Sequence, residues 1–242
     1  MSIKNLLLAL LLVGITAPRA DAQVLIALVF GDALNTPKLA FGVTLGASIT
    51  NITNLEDAGF RHSFSAGFYF DILLAEHFYL HPEVRVKSTL GARNLPPYPT
   101  SDAGLDELLS DATVDRRINY FNVPVMAKYR NDQGWGIQAG PEISLRHQSS
   151  DEFSTGVGDK EDLILKVDTR DRFTRFDVGI TGGISKKIGQ GMAGITVQAN
   201  YTYGLIDIDK VTDGSQHNHG FFINAAIPVG AGKKQAAPPD GK

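Results

Sequence analysis

The sequence predicts an all-β fold: an eight-stranded antiparallel up-and-down transmembrane β-barrel with short periplasmic turns and longer extracellular loops. Three observations predict it. Eight stretches alternate apolar and polar with period two, and none carries a charge on its apolar phase. The connections between them alternate between short and long. No run of 18 or more apolar residues follows the N-terminal region, so a closed barrel is the structure left to cross a bilayer.

Lys4, the apolar run Leu6–Val13 and the small-x-small site Ala20-Asp21-Ala22 read as a secretory signal cleaved after Ala22. The expected organisation is therefore signal 1–22, N-terminal periplasmic segment 23–37, barrel 38–230 and periplasmic tail 231–242. Within the second segment, Val24–Phe30 is too short to span; it either lies at the inner interface or closes the barrel floor. The tail is rich in Lys, Pro and Gly and is expected to be disordered.

The apolar phase of the first stretch is Leu39, Phe41, Val43, Leu45, Ala47 and Ile49, and that of the second Phe64, Ala66, Phe68, Phe70 and Ile72. Phe78, Leu80, Pro82, Val84 and Val86 form the third, Phe121 to Tyr129 the fourth, and Trp135 to Leu145 the fifth. Phe176 to Ile184, Ala193 to Tyr203 and Phe221 to Val229 complete the set. Each covers about 9–11 residues, the length a tilted strand needs to cross the hydrocarbon core. Short turns fall near Ala75-Glu76, Asn131-Asp132 and Gly189-Gln190-Gly191, and the long segments are 50–60, 91–116, 147–171 and 206–219. Beginning and ending on the short-turn side puts both termini in the periplasm of a Gram-negative cell.

Alternation alone also fits a soluble lipocalin-like barrel carrying an apolar ligand. Two features favour the membrane. The polar phase is small and uncharged over long runs, such as Ala40, Gly42, Thr44, Gly46 and Ser48, which suits a crowded lumen better than a solvated surface. Phe70, Phe78, Tyr129 and Trp135 all flank the first two short turns on the apolar phase, as a periplasmic aromatic girdle would.

The polar-phase charges then point inward: Asp71, Glu83, Arg85, Lys87, Lys128, Glu142, Arg146 and Asp177. Four acids against four bases is the balance a low-dielectric lumen requires, and the set is read as a structural network rather than an ion path. Pro82, Pro124 and Pro141 lie inside strands and predict a bulge or local mispairing at each.

The expected mature chain has 21 basic and 25 acidic residues, so no basic field attracts nucleic acid. The absence of cysteine excludes a disulfide framework and thiolate chemistry. Gly189-Gln190-Gly191-Met192-Ala193-Gly194 spells a dinucleotide fingerprint, but a strand follows where that chemistry needs a helix. His62 and Ser63 are adjacent and face opposite ways. His147 and Ser149 would share a strand face, the arrangement of a lipid-modifying hydrolase, though no orienting acid accompanies them. His217 and His219 are too few for a metal centre. Asp102, Asp106, Glu107, Asp111, Asp151, Glu152, Asp159, Glu161 and Asp162 read as solvated loop acids rather than cation ligands. Ser101–Leu109, with a capping serine, predicts a short helix. No catalytic, cofactor or metal residues are assigned.

Several segments resemble the PorT-like outer-membrane β-barrel family (outer membrane protein beta-barrel domain). They are Gln23–Asp32 followed by Leu34-Asn35, His81-Pro82-Glu83, Tyr120–Val125 through Lys128-Tyr129, Ala139–Glu142, Phe176–Gly179 and Asn200–Leu205. The resemblance implies an eight-stranded outer-membrane barrel, prolines at matching places, and no single activity; the family's namesake takes part in secretion of surface proteases. The expected chain is thus a non-enzymatic barrel with a structural, surface-interaction or secretion-accessory role and no wide pore. Its expected partners are outer-membrane lipid and lipopolysaccharide, the barrel assembly machinery and, for the accessory role, secretion-system or envelope proteins. A strand ending at Val229-Gly230 departs from the aromatic finish such barrels commonly carry.

Overall fold

A computed structural model describes residues 35–100, 102–157, 161–189, 191, 194–212 and 214–229. The expected signal 1–22, most of the expected N-terminal segment including Val24–Phe30, and the expected tail 231–242 lie outside the described residues. Among the described residues the strands are β1 (Leu39–Ile52), β2 (Gly59–Ala75), β3 (Phe78–Leu90), β4 (Ala92–Arg93), β5 (Thr113–Arg130), β6 (Trp135–Val157), β7 (Glu161–Asp168), β8 (Phe176–Ile188), β9 (Ile195–Gly204) and β10 (Asn218–Pro228), with one helix, α1 (Ala103–Leu108).

Eight of these strands close a ring. Every neighbour is antiparallel in the order β1-β2-β3-β5-β6-β8-β9-β10, and β1 completes it by pairing with β10 from Gly42↔Pro228 to Ile52↔Asn218. The short β4 adds to the start of β2, and β7 to the far end of β6. Closure gives each of the eight ring strands a partner on both sides, as a hydrocarbon environment demands.

The wall follows the predicted polarity. Phe64, Trp135, Ile137, Phe176, Ile180, Ile184, Phe221 and Ile223 are exposed on its outside, while Thr44, Ser65, Thr181, Gln198, Asn200 and Asn224 are buried inside. The tiny inward residues are sterically required. A Cβ at Gly46 would lie 2.0 Å from the Ile223 carbonyl oxygen, and one at Gly140 2.0 Å from that of Val125.

Of the two disturbances expected at the prolines, a bulge or local mispairing, the second occurs. Pairing keeps one register across each, but two consecutive pairs are missing beside it: Tyr69↔Glu83 resumes at Ile72↔Leu80, Pro82↔Val125 at Arg85↔Asn122, and Pro124↔Glu142 at Ala127↔Ala139. Each proline turns its missing N–H toward the preceding strand, so the ladder lapses without slipping. The register shifts lie elsewhere, between Ala66 and Gly67, Leu73 and Ala75, Arg85 and Ser88, and Asn119 and Tyr120.

The long segments are more ordered than loops. At 18 and 23 residues, β5 and β6 run well past the 9–11 expected and, with β7, form a three-stranded extension at the long-loop end. Two apolar clusters pack there. One joins Ile52, Leu90, Ile118, Tyr120, Phe173, Ile208 and Phe222 over the lumen; the other joins Ala92, Leu95, Leu109, Ala112, Val114 and Phe153 above it. The helix is capped by Asp102 rather than Ser101, its carboxylate accepting from the N–H groups of Gly104 and Leu105 at 2.9 and 3.4 Å.

Candidate functional site

Two regions concentrate polar chemistry: the lumen and the outer lobe formed by the extension. In the lumen, alternation on β2, β3, β5 and β6 brings charged side chains to one axis. Asp71 accepts hydrogen bonds from Lys128 Nζ at 3.3 Å and Arg130 Nη1 at 3.2 Å, and its Oδ1 is 2.5 Å from His81 Nδ1. The other ring nitrogen of His81 is 3.8 Å from Glu83 Oε2. Glu83 accepts from Arg85 Nε at 3.2 Å and from Thr44 at 3.0 Å. Arg85 Nη1 continues to Glu142 at 3.2 Å, which also accepts from Asn122 and Thr202 at 3.0 and 3.3 Å. The Arg85 guanidinium lies 4.3 Å from the centre of the Phe222 ring. Side-chain exposure is 0% at His81, Glu83 and Arg85 and 1% at Lys128, so these groups exchange water for one another.

The structure therefore brings together Asp71, Glu83, Arg85, Lys128 and Glu142, and leaves three predicted members out. Lys87 is exposed on the outer wall because the register shift between Arg85 and Ser88 inserts an extra residue, sending Ser88 inward instead. Arg146 sits at the rim and donates to the main-chain carbonyls of Thr174 and Phe173 at 3.0 and 3.4 Å. Asp177 is buried but meets Asn218 Nδ2 at 2.8 Å rather than a cation. His81 and Arg130 take the vacant places. Both were readable: each lies two residues from a recognised member on the same strand phase.

The predicted girdle residues all lie on the wall beside short turns. Phe70 tilts against Phe41 at 5.0 Å between ring centres, Phe78 against Tyr129 at 5.2 Å, and Lys186 Nζ lies 4.7 Å from the Trp135 ring centre.

His147 and Ser149 do not form the hydrolase arrangement. His147 is the extra residue of the shift between Asn119 and Tyr120, so it points outward against Phe121, 4.6 Å between ring centres. Ser149 is buried and shares a 2.7 Å hydrogen bond with Thr169. The histidines at 217 and 219 pack on the rings of Tyr203 and Tyr201. Among the described residues, no three His, Asp or Glu side chains converge as a metal site. At the Gly189–Gly194 turn the described residues lead into β9, not a helix.

Many acids of the outer lobe hold structure rather than face solvent. Asp151 is fully buried and takes a two-pronged contact from Arg116, with Nη2 to Oδ2 at 2.7 Å, plus the Tyr98 hydroxyl at 3.0 Å. Burial, followed by the Asp151 charge, pushes the Tyr98 hydroxyl well above the ordinary phenol range. Glu152 pairs with Arg117 at 3.0 Å, and Asp106 accepts from Thr100. Phe173 is fully buried, its ring centre 5.0 Å from the guanidinium of Arg116 and 5.5 Å from that of Arg172. Arg172 in turn donates to Asp209 at 2.7 Å. Burial raises the Asp209 carboxyl, but hydrogen bonds from Arg172, the Val211 N–H and Thr212 outweigh it and hold the group below its usual range.

Residues 32–210 match the family model described as the outer membrane protein beta-barrel domain. The chain belongs to that family. The match identifies an outer-membrane β-barrel protein. Among solved structures, Ail, the attachment invasion locus protein of Yersinia pestis, aligns at 9% identity and a TM-score of 0.42 over 80% of this chain and 100% of its own. Neisserial surface protein A aligns at 11% identity and 0.41 over 77% and 96%, and OprG from Pseudomonas aeruginosa at 11% and 0.34 over 79% and 94%. No curated protein sequence matches the chain significantly.

Proposed function

We propose that this outer-membrane barrel is a closed anchor presenting a folded outer lobe, with a structural or surface-interaction role, no wide pore and no catalytic activity. The observation that carries the reading is the lumen. Arg85, Lys128, His81, Gln198, Tyr120 and Phe222 are fully buried across it, so side chains occupy the space a channel would need. The lobe above has its own apolar clusters and buried ion pairs, features of a surface meant to keep its shape. In this reading the termini belong to the periplasm, a side supported by the alternation of short and long connections. The resemblance to PorT-like chains supports a secretion-accessory variant of the same role, in which the lobe or the termini contact envelope proteins, and it is also why assembly machinery and lipopolysaccharide are the expected partners. A lipid hydrolase is disfavoured because His147 and Ser149 face opposite sides of the wall.

Reconstitution into planar bilayers tests the closed lumen. The expected result is no steady conductance from protein that shows a heat-shifted gel band; large stable channels would reject the reading. Crosslinking in intact envelopes, followed by mass spectrometry of peptides joined to the lobe, distinguishes a surface role from a secretion-accessory one.

A further inference from the structure

The short-turn mouth of the barrel opens into a cavity of about 220 Å³ that the charge network only partly accounts for. Lys38, Arg130 and Lys187 line it, with Tyr69, Tyr79, Thr36 and Thr196. One carboxylate, Asp71, shares the lining, and its oxygens are already engaged by Lys128, Arg130 and His81. The Lys187 ammonium makes no hydrogen bond or ion pair among the described residues, its main-chain N–H alone donating to the Gly134 carbonyl at 2.8 Å, although the neighbouring Lys186 ammonium donates to the Gln133 carbonyl at 2.8 Å. Tyr69 is 4% exposed and Thr196 5% exposed, and neither hydroxyl has a hydrogen-bond partner among the described residues.

Both hydroxyl oxygens are accessible from the cavity rather than sealed in the wall, so whatever fills the cavity supplies their hydrogen bonds. Water can do part of this, since the cavity far exceeds the volume one water needs. Water does not neutralise an excess of cations. With Asp71 the one acid among the described lining residues and already paired, these residues present a net positive, donor-rich surface whose other side-chain polar groups are donors or amphoteric hydroxyls. We propose that this mouth binds a phosphate group, with Lys187 and Arg130 supplying charge and the hydroxyls of Tyr69 and Thr196 completing the hydrogen bonds. Charge-assisted contacts of this kind favour a multiply charged oxoanion over a neutral polar ligand. The mouth lies beside the aromatic girdle, so the phosphate arrives either as a free ion or on a lipid headgroup.

The full-length protein in neutral detergent micelles provides the test. Inorganic phosphate is titrated and followed by phosphorus NMR linewidth and calorimetry, and a second series uses micelles doped with phosphatidic acid. Saturable binding in the first series identifies a free phosphate ligand; binding only in the second identifies a headgroup. Lys187→Gln should weaken either by about tenfold, the effect of losing one charge-assisted hydrogen bond. Tyr69→Phe should weaken it less, and Lys186→Gln, on the outward phase, should leave it unchanged. Lys187→Gln retains every hydrogen bond described, and a heat-shifted gel band verifies its folding. Absence of saturable binding in both series, or equal affinity in Lys187→Gln and the wild type, would overturn the proposal.

Discussion

The spanning ring and the outer lobe are built from the same strands, yet their interiors differ in kind. On β5 the inward phase is continuous from Val114 through Arg116, Ile118, Tyr120, Asn122 and Met126 to Lys128, and all of these are buried. The outward phase changes character midway. Asp115, Arg117 and Asn119 are polar, whereas Phe121, Val123, Val125, Ala127 and Tyr129 are apolar. Where the outside is lipid, the inside is dominated by ion pairs and amides; where the outside is water, the inside is dominated by Val114, Ile118, Phe153 and Phe173, with the Arg116–Asp151 pair buried among them. The strand never changes face. What changes is the solvent it must satisfy, and the step between Asn119 and Phe121 marks the outer limit of the hydrocarbon on this strand.

The two interiors should therefore fail differently. Among the described residues Arg85 alone bridges Glu83 and Glu142, so Arg85→Ala leaves two carboxylates short of charge in a dry lumen. Breaking such a pair costs about 3–5 kcal/mol, and the loss should be global because every ring strand depends on its neighbours. Urea unfolding in lipid vesicles, followed through the single tryptophan, Trp135, should show the shift. Arg85→Lys should recover only part of it, since a lysine ammonium cannot fork between two carboxylates as a guanidinium does. A mutant unfolding like wild type would mean that the lumen network adds nothing to ring stability.

In the lobe the matching change is Phe153→Ala. Phe153 is fully buried between β5 and β7 and contacts Tyr98 at 5.0 Å between ring centres. Truncation costs about 3 kcal/mol, at the lower end for a buried phenylalanine. Among the described residues this cluster is packed by the extension and the long connections around it, including Leu55 and Ala58 between β1 and β2, so the loss should stay at the long-loop end. Limited proteolysis should cut between residues 91 and 170 while the heat-shifted gel band persists. Loss of both together would show that ring and lobe fold as one cooperative unit.

The same polarity step explains what was legible beforehand. Alternation disclosed the ring because Phe121 to Tyr129 or Phe176 to Ile184 keep one apolar phase throughout. It hid the lobe, because on β5 the apolar phase moves from Val114 and Ile118 to Phe121 and Val123, and a search for one continuous phase stops at the crossing. Bulges were hidden for a different reason. The residues at Val86-Lys87 and at His147 have no composition that distinguishes a bulged position from a regular one; only pairing with the neighbouring strand does. The prolines pointed to the right places for disturbed pairing but left open whether the disturbance would be a bulge or a local lapse, and the lapse is what occurs. The absent N–H was predictable, but whether register slips depends on how firmly the residues on either side are paired.

Lys87 offers the finest test of the comparison, because its predicted and observed faces differ by one inserted residue. If it lay in the lumen beside Arg85, Lys87→Gln would unbalance the network and cost several kcal/mol. On the outer wall, level with the Phe121 boundary, its ammonium can extend along its stem toward the headgroups. Lys87→Gln should then change stability by less than about 0.5 kcal/mol, the range of ordinary surface substitutions. The chain contains no cysteine, so Lys87→Cys and Ser88→Cys can be labelled without background. A bulky charged maleimide should modify the first in intact vesicles and spare the second, which points inward from a buried position. The reverse pattern would remove the bulge from β3 and return Lys87 to the lumen.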